Sequence, residues 1–157
     1  MNFISISQYL NKLQILFFVL LMVPLLVFIA LYFFFPDNPV ETRTELLIII
    51  PFAAFVDFIL GMTISNKKIK SVRNAQGLGA KLDKYFQITI VRYSFLASAG
   101  LLLALGFYLS RSDVFSALYV LSLLYSSTCL PTAASVSDEL MLKGDEREMV
   151  FYKKDRF

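Results

Sequence analysis

Long apolar runs separated by clusters of charge dominate the pattern of this 157-residue chain. The first is Leu13 to Phe35, bounded by Lys12 and by "PDNP"; the second runs from Leu46 to about Ser65. The third extends from about Phe86 to Leu109, and the fourth from Val114 to about Val136. A hydrocarbon core roughly 30 Å thick takes about 20 helical residues to cross, so each run predicts a transmembrane helix. The runs are continuous, whereas membrane β-strands alternate at every second residue. The first run lacks a basic leader, exceeds the apolar length of a signal peptide and ends in bulky "LYFFFP", so it reads as a retained helix.

Composition supports the pattern: 57% of the residues are hydrophobic and 17% charged, outside the range of a soluble domain. The expected fold is therefore all-α, an antiparallel four-helix transmembrane bundle forming one membrane domain over residues 1–157. Pro24 and Pro51 fall inside the first two runs, where membrane helices tolerate proline if neighbours satisfy the freed carbonyl.

Basic residues then orient the bundle. The loop 66–84 carries Lys67, Lys68, Lys70, Arg73, Lys81 and Lys84, and the tail 137–157 adds Lys143, Arg147, Lys153, Lys154 and Arg156. On the other side, "PDNPVETRTE" sets Arg43 against Asp37, Glu41 and Glu45, and "SRSD" holds only Arg111. Both termini and the central loop are thus expected in the cytoplasm, at a bacterial inner membrane. The six basic residues of the loop suit anionic lipid head groups. With no aromatic residue interleaved, they do not form a nucleic-acid module.

Local signals refine this picture. "GLG" at 77–79 is expected to end any extension of the second helix, and "AKLDKYF" to begin the third amphipathically. Ser112 or Asp113 is a candidate cap for the fourth helix. Ser122, Ser126, Ser127 and Thr128 are expected to bond back to their own helix. Ser135 and Asp138 have capping-box spacing, which predicts a short helix to Lys143 ended by Gly144. The "DEREMVFYKKD" segment beyond it either docks on the membrane, the loop or a partner, or frays.

Two charges stand deep in the apolar runs. Asp57 lies eight residues before the expected end of the second helix, and Arg92 seven residues into the third. At mid-membrane such a residue costs about 2.5 to 3.5 kcal/mol unless it faces protein or water. Matching depths on adjacent helices favour an Asp57–Arg92 pair. The alternatives are an Arg92 that snorkels alone and an Asp57 that is neutral. Ala53, Ala54 and Gly61 flank Asp57 at helical spacing, and Ser94, Ala97, Ser98, Gly100, Ala104 and Gly106 line the third run. Small residues let membrane helices approach closely, within the bundle or between copies.

The chain contains no histidine and one cysteine, Cys129, so no Cys/His metal cluster or intrachain disulfide is available. No H-E-x-x-H, G-x-S-x-G or P-loop spacing occurs, and no cofactor is expected. "KLDKYFQITIVRY", with Lys81, Leu82, Tyr85 and Arg92, followed by two helices and "LMLKGDERE", resembles small bacterial four-helix membrane proteins of unassigned function. That resemblance covers roughly residues 80–150 and implies the same topology. The expected function is a non-enzymatic membrane scaffold or accessory subunit that associates through small-residue faces, as a homo-oligomer or with a membrane-protein partner. The rival functions are a small transporter or channel using Asp57 and Arg92, and a signalling or immunity-type component.

Overall fold

The computed structural model describes residues 5–34, 44–75 and 77–152, in which every regular element is helical. In chain order these are α1 (Ile6–Phe34), α2 (Leu46–Val72), α3 (Leu78–Ser110), α4 (Asp113–Thr128), α5 (Ala133–Glu139) and α6 (Asp145–Tyr152). Phe35, Asp37, Glu41 and Arg43, and Lys153, Lys154 and Arg156 in the tail, lie outside the described residues.

Helix α1 begins seven residues before the expected start. Its first turns place Ile6, Tyr9, Leu10 and Leu13 at helical spacing on one buried face, while Lys12 and Asn11 point outward. A search for uninterrupted apolar runs passes over such an amphipathic start. The expected loop 66–84 is likewise helical over most of its length. Ser65, Ile69 and Val72 continue the buried face of α2, and Leu78, Leu82, Tyr85 and Phe86 open that of α3. Only a short turn separates the two, with Gly77 at φ 85° just before α3, a conformation that costs glycine little.

At 33 residues, α3 is about 50 Å long, well beyond a hydrocarbon core. It is the hub: α1, α2 and α4 all pack on it, whereas α2 and α4 touch only lightly. Of its most apolar stretch 44% is buried, against 11% in α1 and 17% in α2. The helices thus surround one central helix. The outer faces of α1 and α2 leave Phe18, Leu26, Phe33, Ile48, Phe52 and Phe55 exposed, an apolar surface suited to lipid.

The fourth run departs most from expectation. Helix α4 ends at Thr128, and after Pro131 the chain turns through 81° into α5. Thr132, rather than Ser135, caps α5 by accepting the Ser135 N–H. Helix α5 stops at Glu139, short of Lys143, and Met141 takes a positive φ of 51° in the turn that follows. Ser112 caps α4 as expected. The chain is an integral membrane protein with three helices long and apolar enough to cross a bilayer, or four if α4 and α5 together form one bent span.

Contacts define the two ends. Tyr9 donates to the Leu82 carbonyl, and Lys81 pairs with Glu146, so the start of α1, the α2–α3 turn and α6 share one end. At the other, Arg111 donates to the Leu31 carbonyl and caps the last turn of α1. A core of Ile6, Tyr9, Leu13, Leu82, Val136 and Val150 gathers the first end. A second core, built on Leu103, Phe107, Phe115 and Tyr119, fills the membrane half, where Phe28 stacks on Tyr119 at 4.3 Å.

Small residues make this packing possible. A Cβ at Gly61 would lie 2.5 Å from Phe95 Cβ, one at Gly106 would enter the Phe115 ring, and one at Gly100 would press on Pro24 at 3.1 Å. Gly61→Ala is expected to destabilise the protein by about 1 to 3 kcal/mol, because Phe95 Cβ cannot yield without separating α2 from α3. Ser94→Ala, on an exposed position, should stay within about 0.5 kcal/mol. Thermal unfolding of both variants in detergent micelles checks the contrast, and equal midpoints would contradict it.

Candidate functional site

Where α5 folds back over the α2–α3 hairpin, the most buried cation among the described residues meets a carboxylate. Arg92 Nη1 donates to Glu139 Oε1 at 2.9 Å and Nη2 to Oε2 at 3.0 Å, a bidentate fork. Tyr85 Oη adds a bond to Oε2 at 3.1 Å, and Arg92 Nη2 also reaches Asn66 Oδ1 at 3.5 Å. Among the described residues Arg92 is the one buried charged side chain, 7% exposed. Tyr85 and Arg92 are seven residues apart on α3, two turns of one face, so the helix itself aligns both donors.

The Asp57–Arg92 pair expected from matching depths is therefore not formed. The expectation assumed that α2 ends near Ser65 and α3 begins near Tyr85. Both helices continue past those positions by about seven residues each, which alone would leave the depths matched. What differs is the stagger between them, because α3 starts beyond the end of α2. Gly61 faces Phe95 and Asn66 faces Arg92. Asn66 lies nine residues beyond Asp57, about 13 Å along α2. Arg92 itself is about 27 Å from the far end of α3 at Ser110, close to the boundary of a core measured from that end.

Around this pair the interrupted backbone is repaired. The break after α4 frees carbonyls that helix geometry would satisfy. Tyr93 Oη donates to the Cys129 carbonyl at 3.0 Å, and Gln14 Nε2 to the Pro131 carbonyl at 3.3 Å. Arg73 Nε donates to the Glu139 carbonyl at 2.9 Å at the end of α5. Lys81 Nζ holds Glu146 at 2.6 Å, with Lys81 14% and Glu146 32% exposed at the side chain. Thus two of the six residues proposed for lipid head groups, Arg73 and Lys81, are engaged by the tail; Lys67, Lys68, Lys70 and Lys84 remain exposed.

Three hydroxyls in the last turn of α4 bond to their own helix, whereas Ser116 Oγ is buried with no hydrogen-bond partner among the described residues. Ser126 donates to the Ser122 carbonyl, Ser127 to that of Leu124 and Thr128 to that of Tyr125. Cys129 is half-buried beside them. Among the described residues no three His, Cys, Asp or Glu side chains come together as a metal site.

Asp57 lies elsewhere, on the outer side of the α2–α3 pair. It lines a shallow groove of about 390 Å³ with Phe52, Ala53, Val56 and Leu60 of α2 and Ser98 and Leu102 of α3. Its Oδ2 is buried and has no hydrogen-bond partner among the described residues. The small residues singled out in the sequence divide accordingly. Ala54, Gly61, Gly100, Ala104 and Gly106 are buried inside the fold and Ala97 partly so, whereas Ser98 is exposed beside Asp57 and Ser94 is exposed one turn away.

Glu139 escaped the sequence reading because it sits in a charged tail and meets Arg92 only through the bend. A signal was present: Val136 and Leu140 flank it at helical spacing and are both buried, which marks a docked amphipathic turn.

The pairing is testable by a double-mutant cycle. Arg92→Gln or Glu139→Gln alone is expected to cost about 2 to 3 kcal/mol, because each leaves a charge poorly compensated. The double variant should recover about 1 kcal/mol or more of the summed loss. A parallel cycle of Asp57→Asn with Arg92→Gln should be additive within about 0.5 kcal/mol. Unfolding equilibria in micelles measure both cycles, and coupling in the second alone would reverse the assignment.

Comparison with family models, with curated proteins and with solved structures finds no match for this chain.

Proposed function

We propose that this chain is a non-enzymatic membrane scaffold or accessory subunit that binds a neighbour laterally through the outer face of α2 and α3. The observation that carries the proposal is the opposite use of the two deep charges. Arg92 is consumed inside the fold by Glu139, which also accepts from Tyr85, while Asp57 lines the outer groove with Ala53 and Ser98. A carboxylate on a lipid-facing surface is costly, and small neighbours give another helix access to it.

The end gathered around the α2–α3 turn faces the cytoplasm in this proposal, since Lys67, Lys68, Lys70 and Lys84 are exposed there. Those side chains meet anionic head groups, and the docked α5 and α6 cover the remaining basic positions. Both termini are then cytoplasmic, with α4 and α5 forming the fourth, bent passage. A transport path built on Asp57 and Arg92 as partners loses support, because Glu139 occupies the arginine.

Site-directed photocrosslinking tests lateral association. In a Cys129→Ala background, Ser98→Cys labelled with benzophenone maleimide is expected to give a discrete adduct in native membranes. Ile15→Cys on the exposed side of α1 should give diffuse lipid products. Electrophoresis after irradiation reads the difference, and indistinguishable patterns at the two positions would sink the proposal.

A further inference from the structure

Resting on that lateral-association reading, we infer that the Asp57 groove receives a transmembrane helix of a different protein, one carrying a lysine or arginine near the middle of its span. Depth makes the first part of the argument. Asp57 stands about 17 Å along α2 from Leu46, near the midplane of a core roughly 30 Å thick that begins there. At that depth water does not compensate a carboxylate, and Asp57 Oδ2 has no hydrogen-bond partner among the described residues.

Charge complementarity then selects the occupant. A second copy docked face to face would set Asp57 against its own symmetry mate, two like charges at the same depth. Among the described residues, a second copy docked by another face brings no cation to the midplane either. Arg92 is held by Glu139, Lys12 lies within the first two turns of α1, and Arg111 caps the opposite end at Leu31. The cation must therefore come from another chain.

Groove shape agrees with this occupant. Ala53 and Ser98 keep the floor low around the carboxylate, and Phe52 and Leu60 stand one turn or so to either side along α2. A helix backbone can enter between them and carry a long basic side chain to Asp57, with the Ser98 hydroxyl placed to donate or accept a further bond. Apolar walls exclude competing water, which strengthens the ion pair once formed.

The probe is a synthetic leucine-alanine transmembrane helix with one central lysine, compared with the same helix carrying leucine there. The full chain is placed in lipid nanodiscs and binding is read by energy transfer between labelled partners. The lysine helix is expected to bind at least about tenfold tighter than the leucine helix. Asp57→Asn should erase that preference, and Asp57→Lys should transfer it to an aspartate-centred helix. Ser98→Phe, which fills the groove without altering charge, should block the lysine helix. Binding of the two helices within about twofold on the unaltered chain would overturn the inference without recourse to any variant. A photoadduct at position 98 consisting of two copies of this chain would also overturn it, while leaving lateral association standing. No adduct of any kind would remove both.

Discussion

The bidentate contact between Arg92 and Glu139 is the constraint on which the half of the fold around the α2–α3 turn depends. It joins α3 to α5 across the bend, and Tyr85 and Asn66 extend it to a second turn of α3 and to α2. Because Arg92 is nearly inaccessible, its charge has no inexpensive alternative to this carboxylate. With Glu139 fixed, the adjoining apolar residues Val136 and Leu140 are carried into the core formed by α1 and the hairpin. One ion pair thereby converts a charged tail into a packed layer.

The membrane half is held by different physics. There the hub helix α3 offers Gly106 to Phe115 and Gly100 to Pro24 and seats its own Phe95 on Gly61 of α2, and aromatic rings from α1 and α4 interlock above it. Such packing needs no hydrophobic drive, since lipid is as apolar as the side chains that leave it. Several polar groups that enter this half are spent on backbone carbonyls freed by the α4 break, or turned back on their own helices, while Ser116 Oγ on α4 is buried with no hydrogen-bond partner among the described residues. Asp57 lies apart from these contacts, in the outer groove, and its Oδ2 takes no part in the cohesion of the fold.

Much of the architecture was legible in the sequence, because lipid demands continuous apolar segments and these are visible in any hydropathy reading. The Ser112 cap, the back-bonded serines and the close approach at Gly100 and Gly106 followed from local chemistry alone. What escaped were features decided by amphipathic continuation. Tyr9 and Leu10 look polar-flanked until their helical spacing is counted, and Lys67 to Lys70 read as loop although Ile69 and Val72 keep the buried stripe going. The extensions of α2 and α3 are about equal, and it is the stagger of the hairpin, with Gly61 on Phe95 and Asn66 beside Arg92, that separates Asp57 from Arg92. Pairing by depth assumes that two helices of a hairpin run level from their turn, and a stagger between them is invisible to hydropathy.

The separation of Arg92 from Glu139 by 47 residues also orders events during synthesis. Three long helices are complete before the carboxylate exists, so Arg92 must await its partner. Its place near the boundary of the apolar part of α3 lets the guanidinium reach head groups and water during that interval, as long basic side chains do at an interface. Arrival of α5 then replaces water with Glu139 and closes the α4 turn. The position of the arginine along α3 is thus compatible with both the unfinished and the finished protein, a condition that a charge at the depth of Asp57 would not meet.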